Sequence, residues 1–176
     1  MFEEYLIDSY YFYEETNNLT EDRDKIRNLR ASIFYVASAI EAFANFIGET
    51  FSKGDSLFKY EIAFLLDKKI IFDHAKIEVK EVTEYHKIDD KLKLLIKKFS
   101  CEFDFSSKEW SDFMEFKKFR DLLIHPRETE NEILVEDYKK ENQKGLSSII
   151  NIMNVISNGI FRKPLRQKLL DLIPET

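Results

Sequence analysis

The sequence predicts an all-α protein: a single-domain antiparallel bundle of about five to six helices. Three observations carry that expectation. Glycine and proline number only 4 and 3 in 176 residues, too few for the tight turns that an all-β chain needs. Apolar residues recur at alternating steps of three and four along several segments, the period of helices that turn one face to a core. The hydrophobic share is 44%, with 16 Phe and 8 Tyr, enough bulk to fill such a core within one domain.

The elements follow in order. Residues 2–16 carry Phe2, Tyr5, Leu6, Ser9, Phe12 and Tyr13 at a loose helical period with an aromatic face. After the break NNLT, Thr20 is the expected N-cap, with Glu21 and Asp22 placed to favour a helix start. Ile26, Leu29, Ile33, Val36, Ile40, Phe43 and Ile47 then form one continuous stripe, which predicts a long helix ending at Gly48 or in the Ser52–Asp55 stretch. Ile62, Leu65, Leu66 and Ile70 predict a shorter helix within 60–72. Residues 73–87 read as loop or irregular helix, because Ile77 and Val79 alternate and Val82 breaks the alternation.

Ile88, Leu92, Leu95 and Phe99 restore helical spacing, with Lys91, Lys93, Lys97 and Lys98 assigned to the solvated faces. Ser106 and Glu109 offer a capping box before the next helix, which carries Phe113, Phe116, Phe119 and Leu123. The polar loop RETENE leads to a last long helix with Leu146, Ile149, Met153, Ile156 and Ile160 as its stripe. Pro164 separates a short amphipathic tail, Leu165, Leu169 and Leu172. The core domain is expected at about 20–162, with residues 1–19 and 163–176 as accessory segments.

A net charge of −6 provides no global attraction for nucleic acid and argues against a sequence-specific DNA binder, while leaving room for a local basic site. A lone cysteine, Cys101, excludes an intrachain disulfide framework and a Cys-based zinc site. The acidic, aromatic amino-terminal stretch lacks the basic region of a signal peptide, and no apolar run is read as reaching the roughly 20 residues of a membrane span. A soluble, cytoplasmic protein is the expectation.

One segment concentrates chemistry. FKKFRDLLIHPRE sets Arg120, Asp121 and His125 in the last turns of an otherwise apolar helix, ahead of Pro126. Asp121 and His125 share a face, and Arg120 lies about 140° from His125 around the axis, close enough for its long side chain to curl towards the ring. Proline disfavours helical geometry in the residue before it, so His125 sits at or just past the helix end. There the helix terminus and Asp121 act on the imidazole against Arg120, a balance suited to a general acid or base.

R-D-L-L-I-H-P, on a helix that follows RNLRASIFYVASAIEAFANFI, resembles the HEPN superfamily, whose signature is an Arg, a polar residue, and a His four to six residues beyond the Arg. The resemblance covers about residues 20–162. It implies a HEPN-like bundle that forms a homodimer with two such motifs facing across the interface. It implies a metal-independent endoribonuclease of a defence or toxin–antitoxin system, with RNA as substrate, an antitoxin protein as a further partner, no membrane and no cofactor. The same family contains non-catalytic modules that bind a nucleotide, RNA or a protein, which is the alternative.

Carried onto this sequence, the resemblance makes Arg120 and His125 the catalytic pair, with Asp121 orienting one of them. A planar, permanently charged guanidinium suits bidentate contact with phosphate. Lys117, Lys118 and Arg127 flank the motif; Lys117 and Arg127 are candidate phosphate contacts, although the two lysines also fit a solvated helix face. A second basic patch, Arg162, Lys163, Arg166 and Lys168, reads as surface. Glu41, in the Ala-rich A-S-A-I-E-A-F-A-N, is either paired with Arg120 or exposed at a groove that Asn45, one turn on, would also line. His74, His86 and His125 show no metal-ligand spacing. Trp110 and Phe105 read as packing groups.

Overall fold

The computed structural model describes residues 1–73, 76–125 and 133–174. Its elements are α1 (Phe2–Glu15), a one-turn helix (Thr16–Asn18), α2 (Asp22–Thr50), α3 (Lys59–Leu65), β1 (Lys68–Asp73), β2 (Lys76–Thr83), α4 (Ile88–Lys98), α5 (Lys108–Ile124), α6 (Val135–Phe161) and α7 (Gln167–Leu170). The fold is mostly helical, as its composition and periodicity demand. α2 is the central rod: it packs against α1, α3, α4, α5 and α6, while α5 lies along α6.

The stripe on α2 explains that position. Leu29, Ile33, Val36, Ile40, Phe43 and Ile47 are at most 2% exposed, each burial stabilising the bundle by about 1.5–3 kcal/mol. Leu146, Ile149, Met153 and Ile156 of α6 are fully buried against the same core. The α5–α6 contact is close because Gly145 leaves room for the Phe116 ring; a Cβ there would clash with it. α2 is long and apolar enough to cross a bilayer by length and composition, contrary to the expectation that no run reaches that threshold. Alanines between its larger apolar residues raise its mean hydropathy, and in this structure its stripe faces the bundle core.

Several boundaries differ from expectation. Glu21, not Thr20, is the N-cap of α2, and the helix runs through buried Gly48 to Thr50. Gly48 instead admits Leu65 and Leu66 at close range. Ser107, not Ser106, caps α5, accepting from the Trp110 N–H at 3.4 Å. Ser106 bonds Asp104 instead.

The larger correction concerns 66–83. α3 stops at Leu65, and the chain forms an antiparallel hairpin, with Ile70 opposite Val79 and Ile71 opposite Glu78. A register shift between Lys68 and Lys69 moves the partner from Thr83 to Lys80. That bulge puts Val82 out of step with Ile77 and Val79. Asp67, at φ 53°, makes the turn into the hairpin and closes its base. Its carbonyl accepts from the Glu84 N–H at 2.8 Å, and its Oδ1 accepts from the His86 N–H at 2.8 Å.

Candidate functional site

α5 is held by its aromatic side. Phe113 and Phe116 are buried, and Trp110 packs with Phe105 and Phe113 at ring separations of 5.0 and 5.3 Å. With that face fixed, Arg120 and Ile124 turn towards α1 and α2. The helix ends at His125 (φ −125°, ψ 65°), whose N–H donates to the Asp121 carbonyl at 3.0 Å and whose ring is exposed.

Between α1, α2 and α5 lies a cavity of about 460 Å³ that brings Arg120, Glu41 and Asn45 together. Ala37 and Ala42 create the space, and Tyr5 and Phe34 supply aromatic walls. Arg120 is 23% exposed and places Nη1 3.2 Å from Asp121 Oδ1. Its Nε is buried without a hydrogen-bond partner, as is Asn45 Oδ1. A buried polar atom left unpaired costs on the order of 1–3 kcal/mol, and Arg120 and Asn45, which both line the cavity, carry one each.

Glu41 reaches the cavity from α2, and its ion partner is Lys91, 3.6 Å away. Burial pushes its carboxyl above the usual range; Lys91 and Arg120 oppose that shift, and Asp67 adds to it. Lys91 is itself fully buried and donates to Asp67 Oδ2 at 2.7 Å. This corrects its assignment to a solvated face. The signal was its spacing, three residues after Ile88 and four before Leu95, which sets it on the buried side of α4.

The remaining sequence candidates separate. His125 is not among the residues lining the cavity, although Ile124 is. Lys117 is not at the cavity either: it donates to the buried carboxylate of Asp89 at 2.8 Å. There burial raises Asp89, but hydrogen bonds from Lys117 and Lys93 outweigh it and leave the carboxyl below its ordinary value. Lys118 is exposed. Arg127, Pro126 and His74 lie outside the described residues. In the second basic patch, Arg166 and Lys168 both approach Glu3 at 3.2 Å. Among the described residues no group of three or more His, Cys, Asp or Glu is placed to hold a metal ion. Sequence reasoning missed Tyr5, Phe34, Lys91 and Asp67, whose parts depend on how helices meet.

The chain matches no protein-family model, no curated protein and no solved structure.

Proposed function

We propose that the chain is a HEPN-type, metal-independent endoribonuclease, a cytoplasmic homodimer acting on RNA in a defence or toxin–antitoxin setting with an antitoxin protein as partner. The observation that supports it is Arg120. The Arg of the motif is also a cavity wall, with an unpartnered buried Nε, five residues before an exposed, helix-terminal His125.

The chemistry that this reading assigns is transesterification. His125 takes the proton from a ribose 2′-hydroxyl, the 2′-oxygen bonds to the adjacent phosphorus, and the bond to the 5′-oxygen breaks. A protonated imidazole returns the proton to that leaving oxygen. The products are a 2′,3′-cyclic phosphate and a 5′-hydroxyl. Arg120 holds the phosphate and stabilises its developing charge, and Asp121, 3.2 Å from Nη1, orients the guanidinium. Acid–base catalysis of this kind gives about 10²–10⁴-fold, with the guanidinium electrostatics adding to it.

One observation favours the second reading, a non-catalytic module that binds nucleotide, RNA or a protein: within one chain, His125 does not line the cavity that Arg120 lines. The deciding experiment incubates purified protein with single-stranded RNA in EDTA. The ribonuclease reading expects cleavage with cyclic-phosphate ends, reduced at least about 10²-fold in Arg120→Ala and His125→Ala. Intact RNA, or equal cleavage by variants that keep wild-type circular dichroism, would overturn it.

A further inference from the structure

A groove of about 340 Å³ opens between α3, β1 and α4, and none of its lining residues lines the cavity at Arg120. α3 ends at Leu65 and the chain turns back as β1, so Tyr60 and Phe64, four apart on one helix face, share the groove with Ile70 and Leu94. The aromatic walls are propped from behind. Tyr60 stacks on Phe58 at 5.5 Å, Lys98 Nζ lies 4.2 Å over the Phe58 ring, and Phe64 packs on His86 at 4.3 Å. The volume falls within the range of small-molecule sites. Four charged residues also line the groove: Glu61, Asp90, Lys93 and Lys97. Three of them are matched inside the chain. Glu61 accepts from the Phe58 N–H at 2.7 Å and pairs with Lys98 at 2.9 Å. Lys93 lies 3.3 Å from Asp90 and 3.2 Å from Asp89. Lys97 is exposed and, among the described residues, its ammonium group has no hydrogen-bond or ion-pair partner.

We propose that this groove binds a small monocarboxylate with a hydrocarbon body. The body covers Tyr60, Phe64, Ile70 and Leu94, and removing their apolar surface from water drives binding. The carboxylate comes to rest at the rim, against Lys97. None of the residues lining the groove carries a buried polar atom without a partner, so the ligand needs polarity only at its head. A cationic head would meet Lys97 and Lys93, and a neutral one would leave Lys97 unmatched. A dianion would set its second charge against Asp90. One negative charge on an apolar body is the chemistry that satisfies both the walls and the rim.

The test is titration of the whole protein with octanoate, 1-octanol and octylammonium, followed by amide NMR so that the shifts also report the place of binding. Shifts should centre on residues 60–70 and 93–97. Octanoate should bind about two- to fivefold more tightly than octanol, the contribution of an exposed ion pair, and octylammonium should bind more weakly than either. Lys97→Ala should remove the advantage of octanoate over octanol, and Lys97→Glu should make octylammonium the tightest of the three. Lys97 is exposed and unpaired, so neither change threatens the fold. Leu94→Glu, with melting curves confirming that it folds, should weaken octanoate and octanol alike by at least about tenfold, through loss of an apolar wall. Shifts centred elsewhere, no saturable binding of octanoate, equal affinities in the wild type, an unchanged order in Lys97→Glu, or undiminished binding by Leu94→Glu would overturn the inference. Binding is read without RNA or turnover and at residues apart from Arg120 and His125, so the result stands independently of the ribonuclease.

Discussion

Two polar clusters flank α2, one on each side of its length, and they are finished differently. Towards its start, Ser9, Ser32 and Asn142 are all fully buried. Each serine hydroxyl reaches the other's carbonyl, at 2.9 and 2.6 Å. Asn142 Oδ1 lies 2.9 Å from Ser32 Oγ, and its Nδ2 donates to the Leu29 carbonyl at 3.1 Å. Towards the other end, Glu41, Asn45 and Arg120 face a cavity, and two of their buried atoms have no partner. The first cluster is complete within the chain and locks α1, α2 and α6 in register. The second is left incomplete among the described residues, and that difference separates the two ends of α2.

The contrast is sharpest if the support beneath the open cluster is removed. Lys91→Ala leaves Asp67 and Glu41 facing each other without their shared cation, and loss of one partner from a buried pair is costly. A destabilisation of about 3 kcal/mol is expected in denaturant unfolding; wild-type stability would mean that the cavity needs no such backing.

Next in size is a pair of substitutions of the same amide. Asn142→Ala should cost about 1–3 kcal/mol, lowering Tm by about 3–10 °C in a domain of this length. Asn45→Ala, which removes a buried atom with no partner, should cost nothing and raise stability by up to about 1–3 kcal/mol. Equal losses at the two positions would erase the distinction between the clusters.

The smallest effect is in acid, where two carboxylates are expected to act with opposite sign. Asp89 is the more buried, yet its lysine partners hold it below its ordinary value. The stability it contributes is present above about pH 4 and is lost as pH falls through its lowered value. Glu41 is raised by burial. Its contribution is present below the ordinary glutamate value of about 4.3 and is lost as pH rises through its raised value. Asp89→Asn should therefore flatten the loss of Tm in acid, and Glu41→Gln should steepen it. Profiles that shift in the same direction would refute the assignment.

Much of this architecture was legible because it is periodic. The stripes of α2 and α6 gave the core, and the Ala-rich surroundings of Glu41 pointed to a groove. The hairpin was hidden by its own bulge, since the displaced register makes Val82 contradict the alternation that would announce a strand. Lys91 was misplaced because residue type was weighed above spacing. The direction in which α5 turns Arg120 was legible only as one of two readings of Glu41, paired with Arg120 or exposed at a groove. It depends on Phe116 packing where Gly145 has no side chain, a meeting of two residues 29 apart in sequence.

The clasp at Asp67 has a consequence for what this chain tolerates. Because its carbonyl is bonded to the Glu84 N–H at 2.8 Å, the two ends of the hairpin already stand side by side, and the backbone enters and leaves the helical body at one point. The strands between them meet the helical body at α3. A short turn joining Asp67 to Glu84 would leave Lys91, Glu41 and the cavity resting on the same carboxylate, so the hairpin can lengthen, shrink or change its surface without reshaping the site beneath it.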